Sequence, residues 1–278
     1  MEGNECYKFS TIQNYIEKTH NKTIDTIVDV GVNVGDISVM MNAYFPNARI
    51  YGFEAVREYY DIARSRTSHI SSIVLFNMAV SSQHLFADDL GDLPRERAVS
   101  LRILKGLPEA GPGWAGGSFV LPEDHTLITR NQAPRGYEPI AQEVAPITLS
   151  EIIELAGTEE IDLLKMDCEG CEHPVLGCAG RETLNRVRFI TGEYHDIRRF
   201  YLTMQGKLFQ THKVNLVGTA SLGCFFAERL DGLEDGILRF EKTGMLVPRP
   251  WLCDFPIDWH VFNDEFVLEN DRYWHALT

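Results

Sequence analysis

Three short stretches hold the side chains able to do chemistry. The first, residues 26–54, opens Thr26-Ile27-Val28-Asp29-Val30-Gly31-Val32-Asn33-Val34-Gly35-Asp36 and closes on Gly52-Phe53-Glu54. The second, 161–172, carries Lys165, Asp167, Glu169 and Glu172. The third, 187–195, ends on Glu193, Tyr194 and His195. A carboxylate such as Glu54 can accept both hydroxyls of an adenosine ribose. Paired carboxylates such as Asp167 and Glu169 bind metal, accept a proton or tune the charge beside a bound cation. An imidazole with the usual pKa of roughly 6.5 takes a proton from a hydroxyl as that oxygen attacks.

The elements that must position these groups follow from the spacing. Ile27, Val28 and Val30 form a short β-branched run, as expected of a central parallel strand. Gly31 and Gly35 bracket a turn where the backbone takes unusual dihedrals and a ligand comes close. An amphipathic helix follows, with Asp36 in its first turn and Pro46 at its end. Glu54 then ends a second strand, which in a doubly wound sheet lies beside the first at the ligand crevice. Two classes of cofactor suit this arrangement, nicotinamide dinucleotides and S-adenosylmethionine (SAM). The dinucleotide fingerprint is G-x-G-x-x-G with phosphate on the helix N-terminus. Here the turn reads G-x-x-x-G, and Asn33 stands where the middle glycine makes room for pyrophosphate. Asp29 and Asp36 flank the turn with negative charge, which repels phosphate and suits an ammonium and a sulfonium. The expectation is SAM, held by Asp29, Gly31, Asn33, Gly35 and Glu54.

Residues 7–24 read as a leading helix with Ile12, Tyr15 and Ile16 on one face, packed on the sheet or over the cofactor. Residues 56–66 read as the second crossover helix and 73–80 as the third strand, whose end brings Asn77, Met78 and Ala79 toward an adenine pocket. For Met78 the plain alternative is a core side chain. From 81 to 144 the periodicity weakens, with loop signals at 111–117, around Trp114, and at 134–137. So long a stretch is more than a passive loop, and it reads as a substrate-facing insertion, partly stranded at 100–104 and 118–121. Ser150 is the expected N-cap of a short helix. The apolar strand 161–166 ends in Asp167 and Glu169, which share a side if the strand persists that far. In the plainer reading the strand runs into a capped helix and Glu172 stabilises its start. Cys168 and Cys171, with His173 and Cys178, match no common zinc spacing. The last two strands, 213–217 and 223–229, read as an antiparallel closing hairpin.

Composition bounds the rest. The 278 residues are 44% hydrophobic and 24% charged, with a net charge of −14, which argues against nucleic acid as substrate and fits a small-molecule enzyme. No apolar run reaches the roughly 18 residues of a membrane span, and the first six residues lack the features of a signal peptide. Six cysteines in a chain this long point to free thiols in a reducing cytoplasm rather than a disulfide scaffold. Residues 231–278 are acidic yet hold Trp251, Trp259 and Trp274; disordered acidic tails are poor in aromatics, so an ordered extension is expected, packed on its own domain, on a dimer partner or as a wall of the acceptor pocket.

Taken together, these residues resemble the FkbM-type SAM-dependent methyltransferases, within the class I Rossmann-like group. The matching pieces are Asp29, Gly31, Asn33 and Gly35; Gly52-Phe53-Glu54; Asn77-Met78-Ala79; Ile147-Thr148-Leu149; Lys165-Met166-Asp167-Cys168-Glu169-Gly170-Cys171-Glu172; and Gly192-Glu193-Tyr194-His195. They cover about 25–230. Val32, Cys168 and Cys171 depart mildly, where the family favours small residues. The resemblance implies a doubly wound, mostly parallel seven-stranded α/β sheet with an antiparallel closing strand, and methylation of a hydroxyl, often on a sugar or natural product. The reading that follows has an N-terminal helical lead (1–24), a SAM-binding domain (25–230) with an insertion at 81–144, and the extension 231–278. His195 is the expected general base, with Asp167 or Glu169 as alternative or partner; Met78, Ala79 and Asp167 complete the cofactor set. A divalent metal on Asp167, Glu169, Glu193 or His195 is the other way to activate the hydroxyl. The rival functions are a nicotinamide-dependent oxidoreductase and a non-catalytic SAM-fold binding module.

Overall fold

A computed structural model describes residues 9–20, 22–81, 99–106, 119–121, 137–168, 171–194, 208–218 and 223–230. Along the chain these form α1 (Phe9–His20), β1 (Thr26–Val30), α2 (Asp36–Tyr44), β2 (Arg49–Phe53), α3 (Arg57–Thr67), β3 (Ile73–Phe76) and β4 (Met78–Val80). Then follow β5 (Val99–Gly106), β6 (Phe119–Leu121), β7 (Tyr137–Ile147), α4 (Leu149–Ala156), β8 (Ile161–Met166), α5 (Glu172–Cys178) and α6 (Arg181–Leu184). The described chain closes with β9 (Val187–Tyr194), α7 (Phe209–Thr211), β10 (His212–Gly218) and β11 (Gly223–Arg229).

Seven strands make one sheet in the order β10-β11-β9-β8-β1-β2-β3. The pairs β1–β2, β1–β8, β2–β3 and β8–β9 are parallel, while β11 runs antiparallel to both β9 and β10. This is the doubly wound sheet with an antiparallel closing strand that the sequence leads one to expect. The strand order reverses between β1 and β8, and such switch points open a crevice beyond the carboxyl ends of the strands. The register makes those ends level: Val30 lies opposite Phe53 on one side and Met166 on the other, and Met166 lies opposite Gly192.

Side chains alternate between two buried layers, as the pleat requires. One layer gathers Ile27, Ile50, Leu163 and Phe189 with Met41 and Phe45 and with Phe9, Ile12 and Ile16 of α1. The leading helix is therefore part of this core. Tyr15 sits at its rim, half exposed, and its hydroxyl donates to Glu228 at 2.5 Å. The opposite layer holds Val28, Val30, Phe53, Leu164, Met166 and Ile190 under α4 and α5.

Four expectations need correction. The run 73–80 is two strands. Asn77 breaks it by turning its amide onto the carbonyls of Glu54 (2.8 Å) and Ala55 (3.1 Å), and Met78–Val80 then pairs with β7 instead of β2. In the weakly patterned 81–144 region the strands expected at 100–104 and 118–121 are present as β5 and β6, but the region also carries β7, which runs eleven residues up to Ile147 and joins β4, β5 and β6 in a second sheet. The cap of α4 is Thr148, two residues before Ser150. Glu151 N–H donates to Thr148 Oγ1 and the Glu151 carboxylate accepts from Thr148 N–H, a reciprocal box. Finally, Cys168 and Cys171 are joined as a disulfide, and Cys224 is also disulfide-bonded, where free thiols were expected. The cause at Cys168 is local. Glu172, fully buried, accepts Cys168 N–H at 2.9 Å, and the Cys168 and Cys171 Cα atoms lie 5.5 Å apart, within bridging distance.

Candidate active site

The glycine turn adopts left-handed backbone at three positions: Gly31 (φ 79°), Asn33 (φ 55°) and Gly35 (φ 93°). Asn33 is a side chain that tolerates this region, and its Oδ1 accepts Val34 N–H at 2.6 Å. The need for glycine at 31 has a second cause. A Cβ there would lie 1.8 Å from the Asp167 carbonyl oxygen. The neighbouring strand tip alone is thus close enough to demand glycine at 31. At 35 a Cβ would meet Ala63 of α3 at 3.2 Å.

Beneath the turn lies an ion pair with almost no exposure. Lys165 Nζ is 3.0 Å from Asp29 Oδ1 and donates to the Gly31 carbonyl at 2.8 Å; Ser38 Oγ–H donates to Asp29 Oδ2 at 2.5 Å. Burial pulls the lysine's pKa down, but Asp29, Asp167 and Glu54 outweigh it and hold the ammonium above its ordinary value. Asp29, expected to face the ligand, is 0% exposed and joins α2, β1 and β8 from below. The sequence signal for this brace was a lysine set among Leu163, Leu164 and Met166, since a buried charge requires a partner. Asp36, the other flanking acid, is exposed and paired with Arg66 at 2.9 Å.

Glu54 follows β2 directly and is 7% exposed. Its Oε2 accepts Asn33 N–H at 2.7 Å, and its Oε1 accepts Val56 N–H at 2.8 Å. One carboxylate therefore joins the glycine turn to the start of α3. Burial pushes its pKa up to about 7; the two N–H donors and Lys165 pull the other way without prevailing, and Asp29 adds to the rise. Each carboxylate oxygen has a second lone pair, so both backbone bonds leave capacity for a ribose diol.

The remaining candidates divide. Asp167 is half-buried at the tip of β8, its N–H donating to Val30 O at 3.0 Å. The register sets Asp167 and Glu193 at neighbouring tips, since Met166 opposes Gly192. Gly192 is itself required there: a Cβ would lie 2.3 Å from Met166 O. Met78 is partly buried and packs on the main core, and Ala79 is 8% exposed. Glu169, His195, Trp114 and the extension 231–278 lie outside the described residues. Among the described residues no three His, Cys, Asp or Glu side chains converge as a metal site, and no described helix is long and apolar enough to cross a membrane.

Residues 29–212 match the methyltransferase FkbM domain. The chain belongs to the FkbM methyltransferase family. Among curated relatives, the FkbM-domain chain is 28% identical over 170 residues to the 2-O-methyltransferase NoeI of Sinorhizobium fredii, covering 61% of this chain and 63% of NoeI. It is 29% identical over 188 residues to the methyltransferase sdnD of Sordaria araneosa, covering 60% of this chain and 65% of sdnD. The match thus spans a little under two thirds of either relative. Among solved structures, an O-methyltransferase from Bacillus cereus in complex with SAH aligns over 80% of both chains, with a TM-score of 0.42 and 14% identity.

Proposed function

We propose that this FkbM-family chain transfers a methyl group from SAM to a hydroxyl of a small molecule, a sugar or natural-product intermediate. The methyl carbon bonds to the acceptor oxygen as its bond to sulfur breaks. The hydroxyl proton passes to a base, and the demethylated donor, S-adenosylhomocysteine (SAH), leaves. Most of the acceleration on this reading is proximity and alignment.

The observation that carries the reading is Glu54: a carboxylate at the carboxyl end of β2, fastened to the glycine turn and one strand from the switch point. It suits a ribose diol. Asn33 at φ 55°, in place of a middle glycine, suits a pyrophosphate poorly, which favours a methyl donor over a nicotinamide dinucleotide. Family membership points the same way, and NoeI carries a 2-O-methyltransferase name. Gly31, Asn33 and Gly35 would border the donor, Met78 and Ala79 its adenine, and Asp167 its reactive end. His195 would take the proton, with Asp167 or Glu169 as its partner. A divalent cation on Asp167, Glu169, Glu193 or His195 would be the alternative activator. The setting proposed is a soluble cytoplasmic enzyme with no nucleic-acid or membrane partner, acting as a homodimer.

Calorimetry with SAH and with NAD tests the cofactor: SAH should bind and NAD should not. His195→Ala should leave SAH affinity unchanged and slow transfer by roughly 10²–10⁴; unchanged turnover would remove the base assignment. Loss of turnover in EDTA, restored by magnesium, would move the activation to a metal.

A further inference from the structure

We propose that Gln142, in the inserted sheet, is a positioning residue for the cofactor carboxylate. The proposal rests on the reading of Glu54 as the ribose acceptor.

The turn from Glu54 to Arg57 has more backbone polar groups than its own segment satisfies. Its N–H at Glu54 bonds to Phe76 O, and Val56 N–H bonds to the Glu54 carboxylate. Helix α3 begins at Arg57 with Val56 in the cap position, and valine offers no side-chain acceptor; no cap bond is present there. The missing partner comes from residue 142, far along the chain. Gln142 Oε1 accepts Arg57 N–H at 3.0 Å, and Gln142 Nε2 donates to Ala55 O at 2.6 Å. One side-chain amide thus fills both a donor and an acceptor on the turn, as a neighbouring strand would. Asn77 holds the same turn from the other side, through Glu54 O and Ala55 O.

The consequence concerns Glu54. Its Oε1 is held by Val56 N–H, which lies between the two groups that Gln142 grips. When the Gln142 clamp is intact, the carboxylate is held against the glycine turn in one geometry. When it is absent, Arg57 N–H loses its partner, Ala55 O keeps only Asn77, and the carboxylate must be ordered at the expense of ligand affinity. Because β7 belongs to the second sheet, the clamp also makes cofactor affinity depend on the seating of that sheet. A groove of about 770 Å³ adjoins the clamp, bordered by Val56, Arg57, Asp61, Ile62, Arg66 and Gln142, so the side chain is reachable from solvent.

The test uses the full chain. Gln142→Ala removes both bonds; Gln142→Glu keeps the length and the acceptor for Arg57 N–H but loses the donor to Ala55 O. SAH affinity is measured by calorimetry across pH, and amide exchange is followed at Ala55, Val56 and Arg57. Gln142→Ala should weaken SAH by about two- to tenfold, the cost of ordering one side chain on binding, raise the apparent KM for SAM more than it changes kcat, and accelerate exchange at Arg57. Gln142→Glu, which adds a negative charge near Glu54, should move the pH midpoint of SAH binding upward. A lowered melting temperature with unchanged SAH affinity, KM and pH midpoint would make the contact a scaffold bond and overturn the proposal. If the wild-type chain binds no SAH, the cofactor reading fails; the clamp is then judged by exchange alone, and unchanged protection at Arg57 overturns it.

Discussion

The Lys165 ammonium lies 3.0 Å from the Asp29 carboxylate on adjacent strands, with neither side chain open to solvent. The pair fastens the turn to the centre of the sheet through the Gly31 carbonyl. A buried pair contributes little over an apolar replacement, yet losing one member leaves the other charged and unpaired. Lys165→Met should therefore destabilise the chain by about 3–5 kcal/mol, read from urea unfolding. Lys165→Met with Asp29→Asn should be milder than Lys165→Met alone. A double variant as unstable as the single would show that the carboxylate is not the source of the cost.

Glu54 makes ligand binding depend on pH. Its folded pKa of about 7 lies above the ordinary value of 4.5. The folded chain thus holds this proton more tightly than the unfolded one. The stability contributed is complete below about pH 4.5, falls as pH rises, and is gone above about pH 7. Ribose hydroxyls donate to the carboxylate form, so SAH affinity should run the opposite way, rising with pH and levelling off above about 7. Glu54→Gln should weaken SAH and flatten that dependence in calorimetric titrations.

Two glycines separate backbone strain from steric overlap. Gly31 and Gly157 both have positive φ, 79° and 65°, but a Cβ at 31 would overlap Asp167 O while a Cβ at 157 meets nothing within 4 Å. Gly157→Ala should cost about 1 kcal/mol, the conformational term alone. Gly31→Ala should cost several times more and abolish SAH binding. Equal shifts in unfolding midpoint would mean that the tip of β8 yields to the new methyl group.

Cysteine chemistry offers a count. Cys168 and Cys171 stand in one disulfide and Cys224 in another, which takes a fourth cysteine, so thiol titration of the denatured, unreduced chain should find no more than two of the six. The bridge beside Asp167 closes a loop of only four residues, so its removal by Cys168→Ser should lower stability modestly, by about 2 kcal/mol in the loop-entropy account. Six titratable thiols would return the chain to the reduced state that its cysteine content suggested.

The order of elements was legible in the residues themselves. Ile27, Val28 and Val30, then two glycines, then a helix, then Glu54 is a local pattern, and local patterns follow from backbone sterics and burial period. The strand 161–166 and its acidic end were legible for the same reason. The second sheet was legible only in part: β5 and β6 read as strands, but β7 and the turn of β4 away from β2 depend on pairing across tens of residues. The break at Asn77 was hidden too, since the apolar run continues through it and only the carbonyls of Glu54 and Ala55 explain it. Sequence alone determined which residue types stand at the strand tips. Tertiary structure decided what they face: Asp29 turns inward to Lys165, Gly31 makes way for Asp167, and Gln142 caps α3 from another sheet. Each of these is a contact between distant segments, and a chain's spacing does not encode the partner that burial will select.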